Sequence, residues 1–180
     1  LSISHTANTV TEVANAGDDV YACADNAVLA AQKTTKAGSK GRWTLKKGTL
    51  KIENDTLFNS PITNINDSVS VLVWTVANTQ ASISSTDTMK VFRTKVQITE
   101  PGLSDTVFVA TKTFMLNAKI EPFGSHVWYV NGVLQDNAPL RSNAGLPKDT
   151  SVFKIITNIV DCELADSIIV IFKDTKVTTN

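Results

Sequence analysis

A chain of 180 residues has room for one large domain or two small ones. Its 17 basic and 17 acidic side chains cancel, and the densest basic group is only Lys40, Arg42, Lys46 and Lys47, the first three on one solvated face of a strand pattern, so the positive stripe of a nucleic-acid binder is missing. No apolar run approaches the roughly 20 residues of a membrane-spanning helix, so no membrane insertion is expected of this segment.

The opening "LSISHTANTV" has neither the basic start nor the apolar block of a secretion signal. With no initiating Met, the chain reads as a processed piece of something longer. Thr, Ser, Asn, Asp and Val are abundant and Glu is scarce, which is the vocabulary of strands and turns. Only "DNAVLAAQK" tempts a helical reading, and it is short and lacks a clear polar face.

In chain order the strand candidates are "DVYACA", "AVLAA", "RWTL", "TLKIE", "VSVLVWTVAN" and "TMKVF", then "TVFVA", "FMLNAKI", "HVWYV", "VFKIITNIV" and "DSIIVIF". In the fifth, Val69, Val71 and Val73 point one way and Leu72, Trp74 and Val76 the other. Both faces are partly apolar, as in a strand covered on both sides. Asn131-Gly132, between "VWYV" and "VLQ", marks a tight hairpin, because both residues tolerate the positive φ of a type I′ turn. Short strands at this spacing, without alternating βα units, predict an all-β sandwich architecture.

The pattern is duplicated. "AGDDVYACADNAVLAA" parallels "LSDTVFVATKTFMLNA", "GRWTLKKG" parallels "HVWYVNG", "VWTVAN" parallels "KIITN", and "STDTMKVF" parallels "LADSIIVIF". The offset of roughly 80–86 residues suits whole sandwich domains. The expected organisation is therefore residues 1–15 as a strand or linker from a preceding module, two immunoglobulin-like sandwiches over 16–99 and 100–174, and a polar linker over 175–180. Pro101 and Gly102 mark the junction by interrupting the strand pattern.

Trp43 and Trp128 hold the third-strand position of their modules, where an immunoglobulin-like sandwich places a Trp between its sheets; Trp74 lies on the later strand of the first. Burying one indole is worth roughly 4–6 kcal/mol as an upper estimate. All three are expected in the structural core. Tyr129, whose side chain faces opposite to Trp128, is the aromatic expected to make surface contacts.

"ANAGDDVYAC", "AVLAA", "GSKGRWTLKKGTL", "VLVWTVAN" and "SSTDTMKVF" resemble the PKD-like and immunoglobulin-like modules of secreted Bacteroidota proteins. Such modules occur in tandem in gliding-motility and adhesion proteins exported by the type IX secretion system. The second module resembles them mainly through "VWYVNG" and "NIVDCELADSIIV". The resemblance implies an extracellular, cell-surface location and a spacing, adhesive or scaffolding role. Modules of this type often pair an early Cys with one before the last strand, whereas here each module holds one half of that pair, Cys23 in the first and Cys162 in the second. Two free, buried thiols are the leading expectation. A Cys23–Cys162 bridge and pairing with another chain remain open.

Catalytic chemistry has little to work with. His5 and His126 are the two histidines, His126 is expected as an exposed strand residue, and no HExxH, CxxC, GxSxG or phosphate-loop pattern occurs. The expectation is no enzyme, no catalytic or cofactor-binding residue and no cofactor. Asp18-Asp19 and Asp136-Asn137 could contribute to a calcium site but follow no defined loop pattern. A sharper motif is Asp, then Ser or Thr, then an apolar residue. It resembles the O-glycosylation signal of Bacteroidota secreted proteins and nominates Thr56, Ser68, Thr88, Thr106 and Ser167; a turn Asp before a β-former also simply begins strands. The leading function is a non-catalytic segment of a large surface protein, with a protein or glycan and its own adjacent modules as partners. One alternative is a carbohydrate-binding module of a secreted polysaccharide-degrading enzyme, using Tyr129 and Trp74 as aligned aromatics. Another is a protein-interaction module of the secretion or motility machinery.

Overall fold

The computed structural model describes residues 12–78, 82–135 and 138–174, and no helix occurs among them. The chain divides into two compact units, the first ending at Arg93 and the second beginning at Thr94.

The first unit contains β1 (Val20–Ala22), β2 (Ala27–Val28), β3 (Ser39–Lys47), β4 (Lys51–Ile52), β5 (Pro61–Thr63), β6 (Val69–Asn78) and β7 (Ile83–Arg93). One sheet runs β1-β7-β6-β3 and the other β2-β5-β4. All neighbours are antiparallel except β1 and β7, which pair in parallel from Val20↔Val91 to Ala22↔Arg93. In β6 the alternation buries Ser70, Leu72, Trp74 and Val76, while the facing valines are only half-buried. Coverage of that strand is thus one-sided, with the odd face partly shielded. Trp43, Leu72, Trp74, Met89 and Val91 from the larger sheet share one core with Leu29, Ile62 and Ile65.

The second unit contains β8 (Lys95–Glu100), β9 (Thr106–Val109), β10 (Thr113–Glu121), β11 (Ser125–Val130), β12 (Val133–Gln135), β13 (Arg141–Gly145), β14 (Thr150–Ile159) and β15 (Cys162–Phe172). Its sheets run β12-β11-β14-β15-β9 and β13-β10-β8. Again the first strand of the larger sheet, β9, lies parallel to the last, β15. The core gathers Trp128, Phe153, Ile155, Ile168 and Val170 against Ile98, Leu116 and Ala118. Phe114 meets Phe153 edge-on at 5.4 Å and 86°. Asn131 and Gly132 take φ of 50° and 82° in the two-residue turn that pairs Val130 with Val133.

The order β1-β7-β6-β3 therefore returns as β9-β15-β14-β11, so the fold is two tandem immunoglobulin-like β-sandwiches. The division at Arg93/Thr94 precedes the expected start at residue 100, because β8 pairs with β10 and carries Ile98 into the second core. Upstream, Ala14 and Ala16 belong to the first core, so residues 14 and 15 are part of that unit rather than a linker. The linker expected over 175–180 and residues 1–11 of the expected N-terminal segment lie outside the described residues.

Candidate functional site

The three indoles are buried, Trp43 and Trp74 to 1% exposure and Trp128 to 2%. Trp43 and Trp74 are register partners on β3 and β6 with ring centroids 4.9 Å apart, tilted by 47°. Their similar burial hides a difference in polar chemistry. Trp43 Nε1 donates to the Leu57 carbonyl at 3.1 Å, and the Trp43 amide donates to the Asp55 carbonyl at 2.7 Å. The chain between β4 and β5 thus closes over the edge of β3. Trp128 Nε1 is buried without an acceptor among the described residues, as is Trp74 Nε1.

Trp128 also lines a cavity of about 620 Å³ in the second unit. Its walls come from β10, β11, β12, β13 and the turn before β14, and include Leu116, Phe153, Asn143, Gly145 and Lys148. Sequence reasoning did not find this place. Its wall β13 is "RSNAG", which contains no strong β-former, and it becomes a strand because β10 supplies a pairing surface from Thr113↔Gly145 to Asn117↔Arg141.

The two aligned aspartates of the duplicated "STDTMKVF" and "LADSIIVIF" segments do matching work. Asp87 accepts the Ala16 amide at 2.8 Å through Oδ2 and the Thr88 amide at 2.8 Å through Oδ1. Asp166 accepts the Ile98 amide at 2.7 Å and the Ser167 amide at 2.9 Å in the same way. Each carboxylate ties the segment entering its unit to the last strand. The repeated Asp was visible in the sequence, but its role needed the third dimension. Asp67 and Asp105 do stand just before β6 and β9, whereas Asp55 lies in the turn between β4 and β5 and bonds Arg42 Nε at 2.7 Å.

Thr56, Ser68, Thr88, Thr106 and Ser167 are all exposed. Tyr129 is half-buried on β11, opposite Leu134 and Lys154. His126 is not the solvent-facing residue expected: it is half-buried, and Nε2 donates to the Ala138 carbonyl at 3.0 Å, a bond that assigns the proton to Nε2. Asp19 accepts the Lys90 amide at 2.7 Å and is thereby engaged in strand pairing. Asp136-Asn137 lies outside the described residues. No group of three His, Cys, Asp or Glu side chains is assembled among the described residues. Two free, buried thiols are not found: Cys162 is buried, Cys23 is exposed, and neither is a free thiol.

No family model matches the chain, and no curated protein matches it. Solved structures do. The insect immune protein hemolin, whose domain arrangement is described as having implications for homophilic adhesion, aligns over 94% of this chain and 49% of its own, at 10% identity and TM-score 0.50. The titin I-band fragment I67–I69 aligns over 90% of this chain and 64% of its own, at 10% identity and TM-score 0.46. Fibronectin(III)-like modules of Clostridium thermocellum CbhA align over 92% and 94%, at 15% identity and TM-score 0.35. The chain thus spans less than two thirds of the titin fragment it matches. At these identities the likeness concerns the fold.

Proposed function

We propose that the chain is a non-catalytic structural or adhesive segment of a large extracellular surface protein, where it spaces or presents binding regions. The observation that carries this reading is a parallel pairing with the last strand in both units: the first strand β1 with β7, and β9, which follows β8, with β15. Tension applied at the two ends of such a unit pulls parallel neighbours in opposite directions along their common axis. The ladder bonds are then loaded together in shear instead of being unzipped one at a time. Asp87 and Asp166 add a further tie from the segment entering each unit to its last strand. A segment that must hold its shape while another part of the parent binds needs this arrangement.

The finer assignment, to the tandem PKD-like modules of type IX-secreted Bacteroidota adhesion or gliding-motility proteins at the cell surface, is supported by the resemblance of "AGDDVYAC" through "GRW" to "WTVAN". The carbohydrate-binding alternative asked for Trp74 and Tyr129 as a pair of exposed aromatics, and Trp74 is 1% exposed.

Single-molecule pulling between the two ends of the chain, with Cys23 and Cys162 kept reduced so that every residue between them bears the load, tests the proposal. Each unit should give one discrete unfolding event, and Val107→Pro, which removes an amide from the parallel β9–β15 ladder, should lower the force of one of the two. Gradual extension at low force, unchanged by Val107→Pro, would overturn it.

A further inference from the structure

The two units are built alike but are not fastened alike where the chain enters them. The second is entered through β8, a regular strand with five register pairs to β10, from Lys95↔Glu121 to Glu100↔Asn117. The corresponding stretch of the first, residues 12–19, forms no strand. Beside a main-chain bond from Gln32 N to Asn15 O at 2.9 Å, it is stapled by side chains. Glu12 Oε1 accepts the Thr35 amide at 2.7 Å, Ser85 Oγ the Ala14 amide at 3.1 Å and Asp87 Oδ2 the Ala16 amide at 2.8 Å.

The difference continues into the parallel ladders. In the second unit the Ile169 amide donates to a main-chain carbonyl, Asp105 O, at 2.8 Å, and four register pairs follow, from Thr106↔Ile169 to Val109↔Phe172. The duplication aligns Ile169 with Lys90, whose amide donates instead to a side chain, Asp19 Oδ1, at 2.7 Å. Three register pairs follow it, from Val20↔Val91 to Ala22↔Arg93. A carbonyl is fixed to its strand, whereas a carboxylate hangs on two rotatable bonds and lets its strand slide before the hydrogen bond is stretched. Under tension the main-chain pairs of β1 therefore take the load before the Asp19 bond does. The rungs of β9 are loaded together.

We infer that the tandem yields in a fixed order, the first unit before the second, and that Asp19 is the load-bearing side chain of the unit that yields first. This rests on the spacer reading and adds a graded response to it. At moderate tension the first unit opens and releases slack, at roughly 3.5 Å per residue, while the second keeps its fold. The bond from the Lys90 amide to the Asp19 carboxylate is of the charge-assisted kind, so its removal is felt even among main-chain neighbours.

Pulling the full chain at constant force, with Cys23 and Cys162 reduced, tests this. A flexible insertion beside Gly132, in an exposed turn where an added β-carbon meets nothing within 4 Å, lengthens the extension step of the second unit and so labels it. Any weakening by the insertion falls on the unit expected to outlast the other, so it cannot produce the expected order. The unlabelled step should come first. Asp19→Ala should raise the rate of that step about tenfold at fixed force, and Asp19→Asn, which keeps an acceptor oxygen, should raise it less. Neither should change the labelled step. Asp105→Ala should leave both rates as they are, because its bond to Ile169 is made by main chain. Two discrete steps with the labelled one first would overturn the inference and leave the spacer reading standing. So would an unchanged rate of the first step in Asp19→Ala. Gradual extension without steps would sink both.

Discussion

Gly41 lies against the six-membered ring of Trp74: a β-carbon built on Gly41 would stand 2.0 Å from Cζ2 and 2.3 Å from Cη2. The backbone of β3 and the indole of β6 therefore share a space that no side chain at 41 can enter. Trp74 is held from its other neighbour by Trp43, so the ring has little room to retreat. Gly41→Ala should destabilise the first unit by about 1–3 kcal/mol, the usual cost of overpacking a close-packed core. Urea unfolding followed by Trp fluorescence checks this; an unchanged midpoint would mean that the indole moves freely.

The paired aspartates make the next prediction. Ile98 is 3% exposed, and its amide donates to Asp166 Oδ2. Asp166→Ala leaves that donor buried without an acceptor and should cost about 1–3 kcal/mol. Asp166→Asn keeps an acceptor oxygen and should cost less. Amide hydrogen exchange is the more telling readout, since Ile98 should lose protection first and β8 should loosen before β14. Asp87→Ala should do the same to Ala16. Equal loss of protection throughout the unit would argue against a local tie.

How much of this was legible in the sequence depended on how locally each feature is encoded. The hairpin at Asn131-Gly132 and the long strands β6, β14 and β15 announce themselves through φ tolerance and through β-branched and aromatic runs, which act over a few residues. The duplication was readable for the same reason. By contrast β5 opens on Pro61 and β13 contains only Arg, Ser, Asn, Ala and Gly, so neither carries its own signal; both are strands because a partner offers a ladder. β8 was hidden by the nearby Pro101 and Gly102, which interrupt the chain after the strand and not before it. The contrast between a capped Trp43 and an uncapped Trp128 could not be read at all. It depends on where the segment after each third strand returns, and that is a property of loop path, not of the Trp.

The five Ser and Thr acceptors are exposed, which O-glycosylation requires, and two of them, Thr88 and Ser167, follow the structural aspartates Asp87 and Asp166 directly. Peptide mass spectrometry of the protein from its native host should find a glycan on at least one of Thr56, Ser68, Thr88, Thr106 and Ser167. Material made in a bacterium without that pathway should carry none. Bare peptides at all five sites in native material would leave the motif with its structural role alone.

Acid should loosen the start of the first unit through Glu12. Its Oε1 accepts the Thr35 amide at 2.7 Å and the Thr35 hydroxyl at 3.1 Å, and its Oε2 accepts the Lys36 amide at 3.3 Å. Partial desolvation opposes ionisation and is the largest single influence, but the bonds from Thr35, Lys36 and Ser39 together outweigh it and hold the carboxyl below its ordinary value. A depressed folded value means that the carboxylate stabilises the fold above the ordinary Glu range, and that this contribution disappears as pH falls through the lowered value. Because the group is largely exposed, solvent screens the effect and the change should be small. Glu12→Gln should therefore lower the thermal midpoint slightly at neutral pH, and the gap from the native chain should close on acidification. Thermal unfolding of both proteins across the acid range checks the sign. A gap that widens toward low pH would mean that Glu12 stabilises the unit through its protonated form, contrary to the bonds its carboxylate accepts.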